Sequence, residues 1–268
     1  MKYLRPANWL LCLWLYSSLA MGAERVVSMN LCVDKLLLRL LPIERISGLT
    51  HLSLNPEYSG YQGHIPEQKT HRGQAEELVQ LQPDVVIAGQ FGANQAVATL
   101  RHLGITVETV ALPRTLDESR EFILHIGRLV NAEAEAQAYV QHQQQQMAEA
   151  RAQVQRAGGK RTLLYSPNGK AIGSRTLEHT ILETVGQKNA AVELGIEGWK
   201  VLSLEDLLLL KPDQILLTGT SRHFSMAQEI LSHPVLRERV STRTMPEGLS
   251  VCPAIHAGEL AQAMALQP

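Results

Sequence analysis

QAEELVQLQPD, from Gln74 to Asp84, recurs as SLEDLLLLKPD from Ser203 to Asp213. Pro212 lies 129 residues after Pro83, and each copy is followed by an apolar run and a glycine. Acidic residues near the start of each copy favour a helix N-terminus, and the Pro-Asp pair marks a turn into a buried strand. The repeat therefore predicts two related α/β units, one in each half of the chain.

Short β-branched apolar runs alternate with helical patterns from Arg25 onward. This alternation is typical of parallel strands joined by helices, and an unbroken apolar run is typical of a strand buried on both faces. The predicted strands cover residues 25–29, 85–88, 106–111, 161–165 and 215–218. The predicted helices cover residues 34–41, 96–103, 132–157 and 177–185, with further helices beginning at Asp117 and near Gly258.

Residues 132–157 consist mainly of Ala, Gln and Glu, which are strong helix formers. A helix of this length spans about 39 Å and has more surface than core, as expected of a helix that bridges two lobes. The alternative is a coiled-coil dimer arm, but the large apolar residues do not recur in sustained heptads. We therefore predict an α/β fold with two Rossmann-like lobes, 24–115 and 159–268, joined through a helical segment, 116–158, with a ligand cleft between the lobes.

The N-terminal residues 1–23 have the three parts of a cleavable signal peptide. Lys2 and Arg5 provide positive charge, an apolar run covers residues 9–15, and small residues follow. The apolar core is shorter than the roughly 20 residues that span a bilayer. Cys12 lies inside this core without the small residues that precede a lipid-attachment cysteine. We therefore expect a periplasmic protein that is secreted through the signal peptide and carries no lipid.

Composition and motifs argue against several classes of function. Lys plus Arg number 25 against 26 Asp plus Glu, so no excess of positive charge indicates a nucleic-acid partner. The chain has no Gly-x-Ser-x-Gly nucleophile elbow, no phosphate-binding Gly-x-x-x-x-Gly-Lys and no Gly-x-Gly-x-x-Gly after a strand. We therefore predict a binding protein with no catalytic residues and no cofactor, and the competing class is a secreted metal-dependent hydrolase.

Three segments, in their order along the chain, carry a resemblance to a known family. They are Arg25-Val-Val-Ser28, then Glu76-Glu-Leu-x-x-Leu-x-Pro-Asp-Val-Val-Ile87 and, after the long helix, Gly198-Trp199-x-x-Leu-Ser203-x-Glu205-x-Leu. The sequence resembles the periplasmic receptors for ferric siderophores, haem and cobalamin. This resemblance implies two lobes joined by one rigid interdomain helix and a ligand held in the shallow cleft. It also implies delivery to an ABC permease dimer that a separate ATPase powers, and we expect a monomer.

The resemblance implies a metal chelate as ligand: a corrinoid such as cobalamin, a ferric siderophore or haem. Trp199 is the one tryptophan outside the signal peptide, whereas siderophore and corrinoid receptors often line the cleft with several aromatic residues, so the chelate stays open. The alternative ligand is bare zinc or manganese, bound by His51, His71 and donors of the second lobe. The resemblance also implies that Glu76 and Glu205, one per lobe, meet basic residues of the permease; the alternative is that they only stabilise the starts of their helices.

Ligands of parallel α/β sheets bind beyond the carboxyl ends of the strands, so residues in the loops near those ends are candidate ligand-binding residues. They are Cys32, His51, His71, Gln90 and Phe91 in the first lobe and Arg175, Trp199, His223 and Cys252 in the second. An indole offers a large rigid face to a chelate, a guanidinium pairs with carboxylate or phosphate, and a neutral imidazole can ligate a metal. A core tryptophan, a solvated arginine and polar loop histidines are the ordinary alternatives.

Cys32 and Cys252 are the two cysteines that follow the signal peptide. Both are expected in loops that face the cleft, one on each lobe. An oxidising compartment permits one disulfide between them, which would tie the lobes together across the binding site. Free thiols that contact the ligand and buried inert cysteines are the alternatives.

Overall fold

The computed structural model describes residues 24–92, 94–166, 168–219, 226–231 and 233–266. The predicted signal peptide and the candidate ligand residue His223 lie outside these ranges. The described part of the chain forms two α/β lobes, each built on its own sheet, with two helices between them. This architecture confirms the predicted fold class.

The first lobe contains a parallel sheet with strand order β3-β2-β1-β4-β5. Its strands and helices are β1 (Val26–Ser28), α1 (Leu31–Leu40), β2 (Ile46–Thr50), α2 (Pro56–Ser59), β3 (Thr70–His71), α3 (Ala75–Gln80), β4 (Val85–Gly89), α4 (Asn94–His102) and β5 (Val107–Val110). The order reproduces the first part of a doubly wound Rossmann sheet. The unbroken apolar run of β4 is buried because helices cover both faces of such a sheet.

Two helices, α5 (Leu116–Leu129) and α6 (Glu133–Ala157), connect the lobes. The 25 residues of α6 span about 38 Å. Its buried residues include Ala136, Val140 and Val154, which lie on one stripe that packs against α5 and against the last helix of the chain. The rest of α6 is polar surface, as predicted for a bridging helix. Within the described residues, no helix combines the length and the apolar character needed to cross a bilayer.

The second lobe contains a mixed sheet with strand order β11-β10-β6-β7-β9, and β8 pairs with the start of β6. Strand β7 runs antiparallel to β6 and β9, whereas β6, β10 and β11 are parallel. Its strands and helices are β6 (Arg161–Tyr165), β7 (Lys170–Ile172), α7 (Leu177–Thr184), β8 (Lys188–Asn189), β9 (Trp199–Val201), α8 (Leu204–Leu210), β10 (Gln214–Leu217), α9 (Met226–Leu231), α10 (Pro234–Arg237), β11 (Ser241–Thr244) and α11 (Ala257–Ala265).

The sequence repeat corresponds to one helix and strand in each lobe. Helix α3 leads into β4 in the first lobe, and α8 leads into β10 in the second. Strand β4 pairs with β1, and β10 pairs with β6 in the same parallel sense. The repeated unit therefore occupies equivalent places in the two sheets.

Two expectations about local structure were wrong. Helix α1 begins at Leu31, three residues before the predicted start, because the Asn30 side chain caps the helix by accepting hydrogen bonds from the backbone N–H groups of Cys32 and Val33. Cys32 therefore lies in the first helical turn and not in a loop. Trp199 was also expected in a loop, but it is the first residue of the edge strand β9.

One face of α1 is linked to the chain segment between β11 and the end of the first turn of α11. Residues 32, 35 and 39 of α1 lie on the same side of the helix because they are three and four positions apart. The links are the Cys32–Cys252 disulfide, a hydrogen bond from Lys35 Nζ to the Gly248 carbonyl oxygen and the Arg39–Glu259 ion pair. Cys252 and Ile255 pack into the hydrophobic core of the first lobe. This segment of the second lobe is thus anchored on the first lobe.

Candidate functional site

A groove lies at the carboxyl ends of the strands of the first lobe, where ligands of parallel α/β sheets bind. Its volume is about 560 Å³, within the range of small-molecule sites. Among the residues that line it are Met29, His51, His71, Arg72, Glu76 and Phe91. The groove therefore collects side chains from the ends of β1, β2, β3 and β4 and from the start of α3.

His51 begins the turn that follows β2, and the buried carboxyl group of Asp34 holds this turn in place. Asp34 Oδ2 accepts hydrogen bonds from the Thr50 backbone N–H at 3.0 Å, the Thr50 hydroxyl at 2.5 Å and the Ser53 hydroxyl at 2.8 Å. Burial raises the pKa of Asp34 to about 7. His51 itself is exposed and makes no hydrogen bond with a described residue, so its ring is available to a ligand.

His71 lies in the same groove, but its ring is engaged by the protein. The Nε2 atom is 2.9 Å from the Ser28 carbonyl oxygen, which can only accept, so Nε2–H is the donor. The Nδ1 atom accepts from the Gly73 backbone N–H at 3.0 Å. Burial lowers the pKa of His71 and favours this neutral form. Neither nitrogen is available to a metal or an iron chelate in this arrangement, and the ring fixes the turn between β3 and α3.

Phe91 and Arg72 give the groove an aromatic surface and a positive charge. The Phe91 side chain is 80% exposed, so its ring offers a free face to a ligand in the groove. Arg72 follows β3, and its guanidinium makes no hydrogen bond or ion pair with a described residue. The sequence prediction missed Arg72 because a strand of only two residues, Thr70–His71, gives almost no periodic signal.

The start of α3 forms the edge of the groove near Glu76. The next residue, Glu77, accepts hydrogen bonds from the backbone N–H groups of Arg72 at 2.8 Å and Gln74 at 3.3 Å and so caps the helix. Glu76 is exposed and makes no such bond. At this helix start, the Glu77 carboxylate caps the helix, and the Glu76 carboxylate makes no hydrogen bond with a described residue.

The other predicted ligand residues do not line the groove. Gln90 is exposed, and its backbone N–H bonds to the Val110 carbonyl oxygen. Cys32 and Cys252 form a disulfide with their Cα atoms 5.5 Å apart, so neither is a free thiol. Arg175 forms an exposed ion pair with Glu197 at 3.3 Å.

Trp199 lies on the outer strand of the second sheet and is 59% exposed. It pairs with Ile172, while Val201, at the other end of β9, pairs with Lys170. The Lys170 carbonyl oxygen bonds to the backbone N–H of Ser166, just beyond the carboxyl end of β6. Val201 therefore lies at the carboxyl edge of the second sheet, whereas Trp199 lies at the other end of this outer strand, two residues away from that edge.

Metal-binding side chains are not clustered in the described ranges. Among residues 24–266, apart from the gaps already given, no group of three or more His, Cys, Asp or Glu side chains is arranged to hold a metal ion. The donors expected from the second lobe included His223, which lies outside those ranges. His51 is thus left without a second free imidazole in the groove.

Comparison with known proteins points to one family. The family model described as "Periplasmic binding protein" matches residues 26–239. The comparison with curated proteins returned no match. Among solved structures, the periplasmic haem-binding protein HutB of Vibrio cholerae is 20% identical, with a TM-score of 0.69 and coverage of 90% of this chain and 97% of that chain.

Two further structures show the same fold. The periplasmic haem-binding protein RhuT from Roseiflexus sp. RS-1, in apo form, is 20% identical, with a TM-score of 0.68 and coverage of 91% of this chain and 97% of that chain. The molybdate-bound protein MolA from Haemophilus influenzae is 18% identical, with a TM-score of 0.70 and coverage of 91% and 84%. At these identities, the likeness establishes the fold and leaves the ligand open.

Proposed function

Since the chain belongs to the periplasmic binding protein family, we propose that it captures a metal chelate in the cleft between its lobes and delivers it to the permease of an ABC importer. The protein is a substrate-binding protein and not an enzyme. The members of its family and its structural neighbours are also binding proteins. Its place is the periplasm, and residues 1–23 serve as the signal peptide for export.

The ligand class that best fits the groove is a flat anionic metal chelate of the haem type. This proposal rests on one observation, the joint presence of the exposed Phe91 ring, the unpaired Arg72 guanidinium and the free His51 imidazole in one groove. Phe91 offers a face for stacking, Arg72 attracts the carboxylates of the chelate, and His51 supplies a nitrogen for the metal.

Ferric siderophores and corrinoids share this chemistry in part, because they are also metal chelates of comparable size. Bare zinc or manganese fits less well, since His71 is engaged at both ring nitrogens. An oxyanion such as molybdate would use Arg72 and would leave the exposed aromatic ring of Phe91 without a role. Other chelates, bare metal ions and oxyanions are therefore tested beside haemin in the binding experiment.

The ligand is tested by absorbance and calorimetric titration of ligand-free protein with haemin, ferrichrome, cyanocobalamin, zinc and molybdate. We expect haemin to bind and its absorption band to shift on binding. The variants H51A and F91A should bind haemin at least about tenfold more weakly, and H51A should also change the spectrum of the complex. The control H142A removes an exposed histidine of α6 and should match the wild type. Binding of zinc or molybdate alone would contradict the chelate proposal.

The permease partner is proposed to meet Glu76 and Glu205. The two residues occupy the same position in their helices, the second after the N-cap, and both are exposed. The following residue caps the helix in both copies, since Asp206 accepts from the Ser203 backbone N–H at 3.1 Å just as Glu77 does in the first lobe. The Leu202 backbone N–H bonds to the Gly169 carbonyl oxygen, which places the start of α8 at the carboxyl edge of the second sheet.

Two free carboxylates, one at the carboxyl edge of each sheet, suit a partner that is itself a dimer. Each exposed pair would add little affinity, but two separated charges would set orientation and speed the encounter.

A further inference from the structure

A second pocket lies at the junction of the two lobes and shares no lining residue with the groove. Its walls come from the middle of α1, from residues 59–63, from Gly248 and Leu249, and from the start of α11. Its volume is about 440 Å³, enough for a small organic molecule. This junction pocket has no part in the proposed binding of the chelate.

Lys35 brings a positive charge to the junction pocket. Its side chain is buried, and its Nζ donates to the carbonyl oxygens of Tyr58 at 3.1 Å and Gly248 at 2.5 Å. An ammonium group has three donors, so one N–H remains for an occupant. Arg39 and Glu259 also line the pocket, but their charges cancel in an ion pair of 2.6 Å. The pocket therefore carries one surplus positive charge.

His256 brings an unused nitrogen to the same pocket. The residue is only 4% exposed, and its Nδ1 lies 2.7 Å from Glu259 Oε2. A carboxylate can only accept, so Nδ1 carries the proton in this bond. The opposite nitrogen, Nε2, is buried and has no hydrogen-bond partner among the described residues. A buried polar atom without a partner costs free energy that an occupant would recover.

We propose that the junction pocket binds a small organic carboxylate. One oxygen of the ligand accepts a hydrogen bond from the third N–H of Lys35, and the other accepts one from the Nε2–H of a protonated His256. The imidazole takes up one proton from solvent on binding and then lies between two carboxylates, that of the ligand and that of Glu259. Leu38, Tyr61 and Leu249, which also line the pocket, contact the apolar body of the ligand.

Binding should tighten as the pH falls from 8 to 6. The charged groups that face His256 are Glu259 of α11 and Lys35 and Arg39 of α1. Tyr139 of α6 is close to this cluster but stays neutral, since its hydroxyl donates to a backbone carbonyl and burial raises its pKa. Burial lowers the pKa of His256 in the empty pocket, and a ligand carboxylate raises it, so lower pH favours the complex. Lys35, whose pKa is lowered to about 8 by burial, loses its charge at higher pH and acts in the same direction.

The test is calorimetric titration of the protein with benzoate at pH 6 and pH 8, in two buffers that differ in ionisation enthalpy. We expect benzoate to bind with uptake of one proton and more tightly at pH 6. The variant H256Q keeps an amide near Glu259 but cannot be protonated, so it should bind about tenfold more weakly and without proton uptake. The control H142Q makes the same change on the exposed surface of α6 and should behave as the wild type.

Four results would overturn the proposal: no benzoate binding at pH 6, binding without proton uptake, unchanged binding in H256Q, or binding of inorganic phosphate in preference to benzoate. Should H256Q fail to fold, nitrogen chemical shifts of the wild-type imidazoles report whether His256 becomes protonated on benzoate addition. Repeating the titration with haemin present separates this pocket from the groove. We expect the same benzoate affinity with and without haemin. If haemin does not bind the groove, the benzoate test of the junction pocket still stands, and the reverse also holds.

Discussion

The buried carboxyl group of Asp34 couples the stability of the first lobe to pH. Its Oδ2 holds the turn that carries His51, and its Oδ1 is buried without a hydrogen-bond partner among the described residues. Burial raises the pKa of this group from 3.8 to about 7. Between those values, the folded protein keeps a proton on Asp34 that the unfolded chain releases. The free energy of unfolding should therefore fall as the pH rises through this window.

The prediction is tested with D34N, whose side chain has nearly the same shape but does not titrate. The difference in unfolding free energy, wild type minus D34N, should decrease from pH 4 to pH 7 by at most about 1.4 kcal/mol per pH unit and then level off. Denaturant unfolding at several pH values measures it. D117N changes an aspartate whose side chain is 90% exposed and should give a flat difference. If the difference between wild type and D34N also stays constant from pH 4 to pH 7, Asp34 is ionised in the folded protein over this whole range.

His51 and His71 show what sequence alone can say about a site residue. Both were selected as loop histidines whose imidazole could ligate a metal, and both line the groove. Their roles diverge because the Ser28 carbonyl oxygen and the Gly73 N–H happen to meet the His71 ring. No sequence pattern specifies that meeting, because Ser28 belongs to a strand 43 residues away in the chain. Residue type and position thus predict where a site side chain lies. They do not predict which of its polar atoms are left available to a ligand.

The repeated helices α3 and α8 allow a direct test of permease docking. We expect the double variant E76Q/E205Q to fold and bind its ligand normally but to stimulate the ATPase of the reconstituted importer less than wild type. The difference should be largest at low salt, because salt screens the attraction that the wild-type carboxylates provide. Each single variant should have a smaller effect. The control E135Q removes an exposed glutamate from the first turn of α6 and so makes the same change at a helix start outside the repeat.

The alternative reading makes the opposite prediction. If the two glutamates only stabilise their helices, the double variant loses about 0.3–1 kcal/mol of stability per site and stimulates the ATPase as wild type does. Full stimulation by a folded double variant would therefore place the docking surface elsewhere.

The elements predicted correctly are those whose signal is local and strong. Strand β6 was predicted with its exact bounds, 161–165, and α6 within one residue, because apolar runs and helix formers are uninterrupted there. Strand β11, Ser241–Thr244, was missed because all four of its residues are polar or small and none is buried. Strand β2 was missed because Gly48 interrupts it. A Cβ at Gly48 would lie 2.7 Å from Leu81 Cδ1, so the glycine lets the residue after α3 pack closely on β2 while it weakens the strand pattern.

The two lobes are held in one arrangement by links of different chemical kinds on a single face of α1. The Cys32–Cys252 disulfide is covalent, the Lys35 bond to Gly248 is a charge-assisted hydrogen bond, and Arg39 adds an ion pair with Glu259. Sequence reasoning anticipated that the two cysteines could pair across the lobes. It could not anticipate that Cys252 and Ile255 enter the core of the first lobe, because this depends on the relative placement of two separately folded sheets.

These links should limit opening of the cleft, and their covalent member can be removed without deleting side chains. The disulfide closes a loop of 220 residues, which in the entropic model contributes about 5 kcal/mol to the free energy of unfolding, less any strain. We expect wild-type protein that has been unfolded and fully reduced to refold in reductant with a stability lower by up to this amount. Its dependence on denaturant should be steeper, since the unfolded chain without the bridge exposes more surface.

Equilibrium unfolding with and without reductant measures the difference, and alkylation followed by mass spectrometry counts the thiols. C32A/C252A should respond to neither reductant nor alkylating agent. The reduced protein should still bind its ligand, because the Lys35 and Arg39 links and the core contacts of Ile255 remain, but small-angle scattering should show a wider distribution of lobe separations than for the oxidised form. Two alkylatable thiols in the unreduced periplasmic protein would show that the bridge does not form. Identical stability of oxidised and reduced protein would show instead that packing alone sets the arrangement of the lobes.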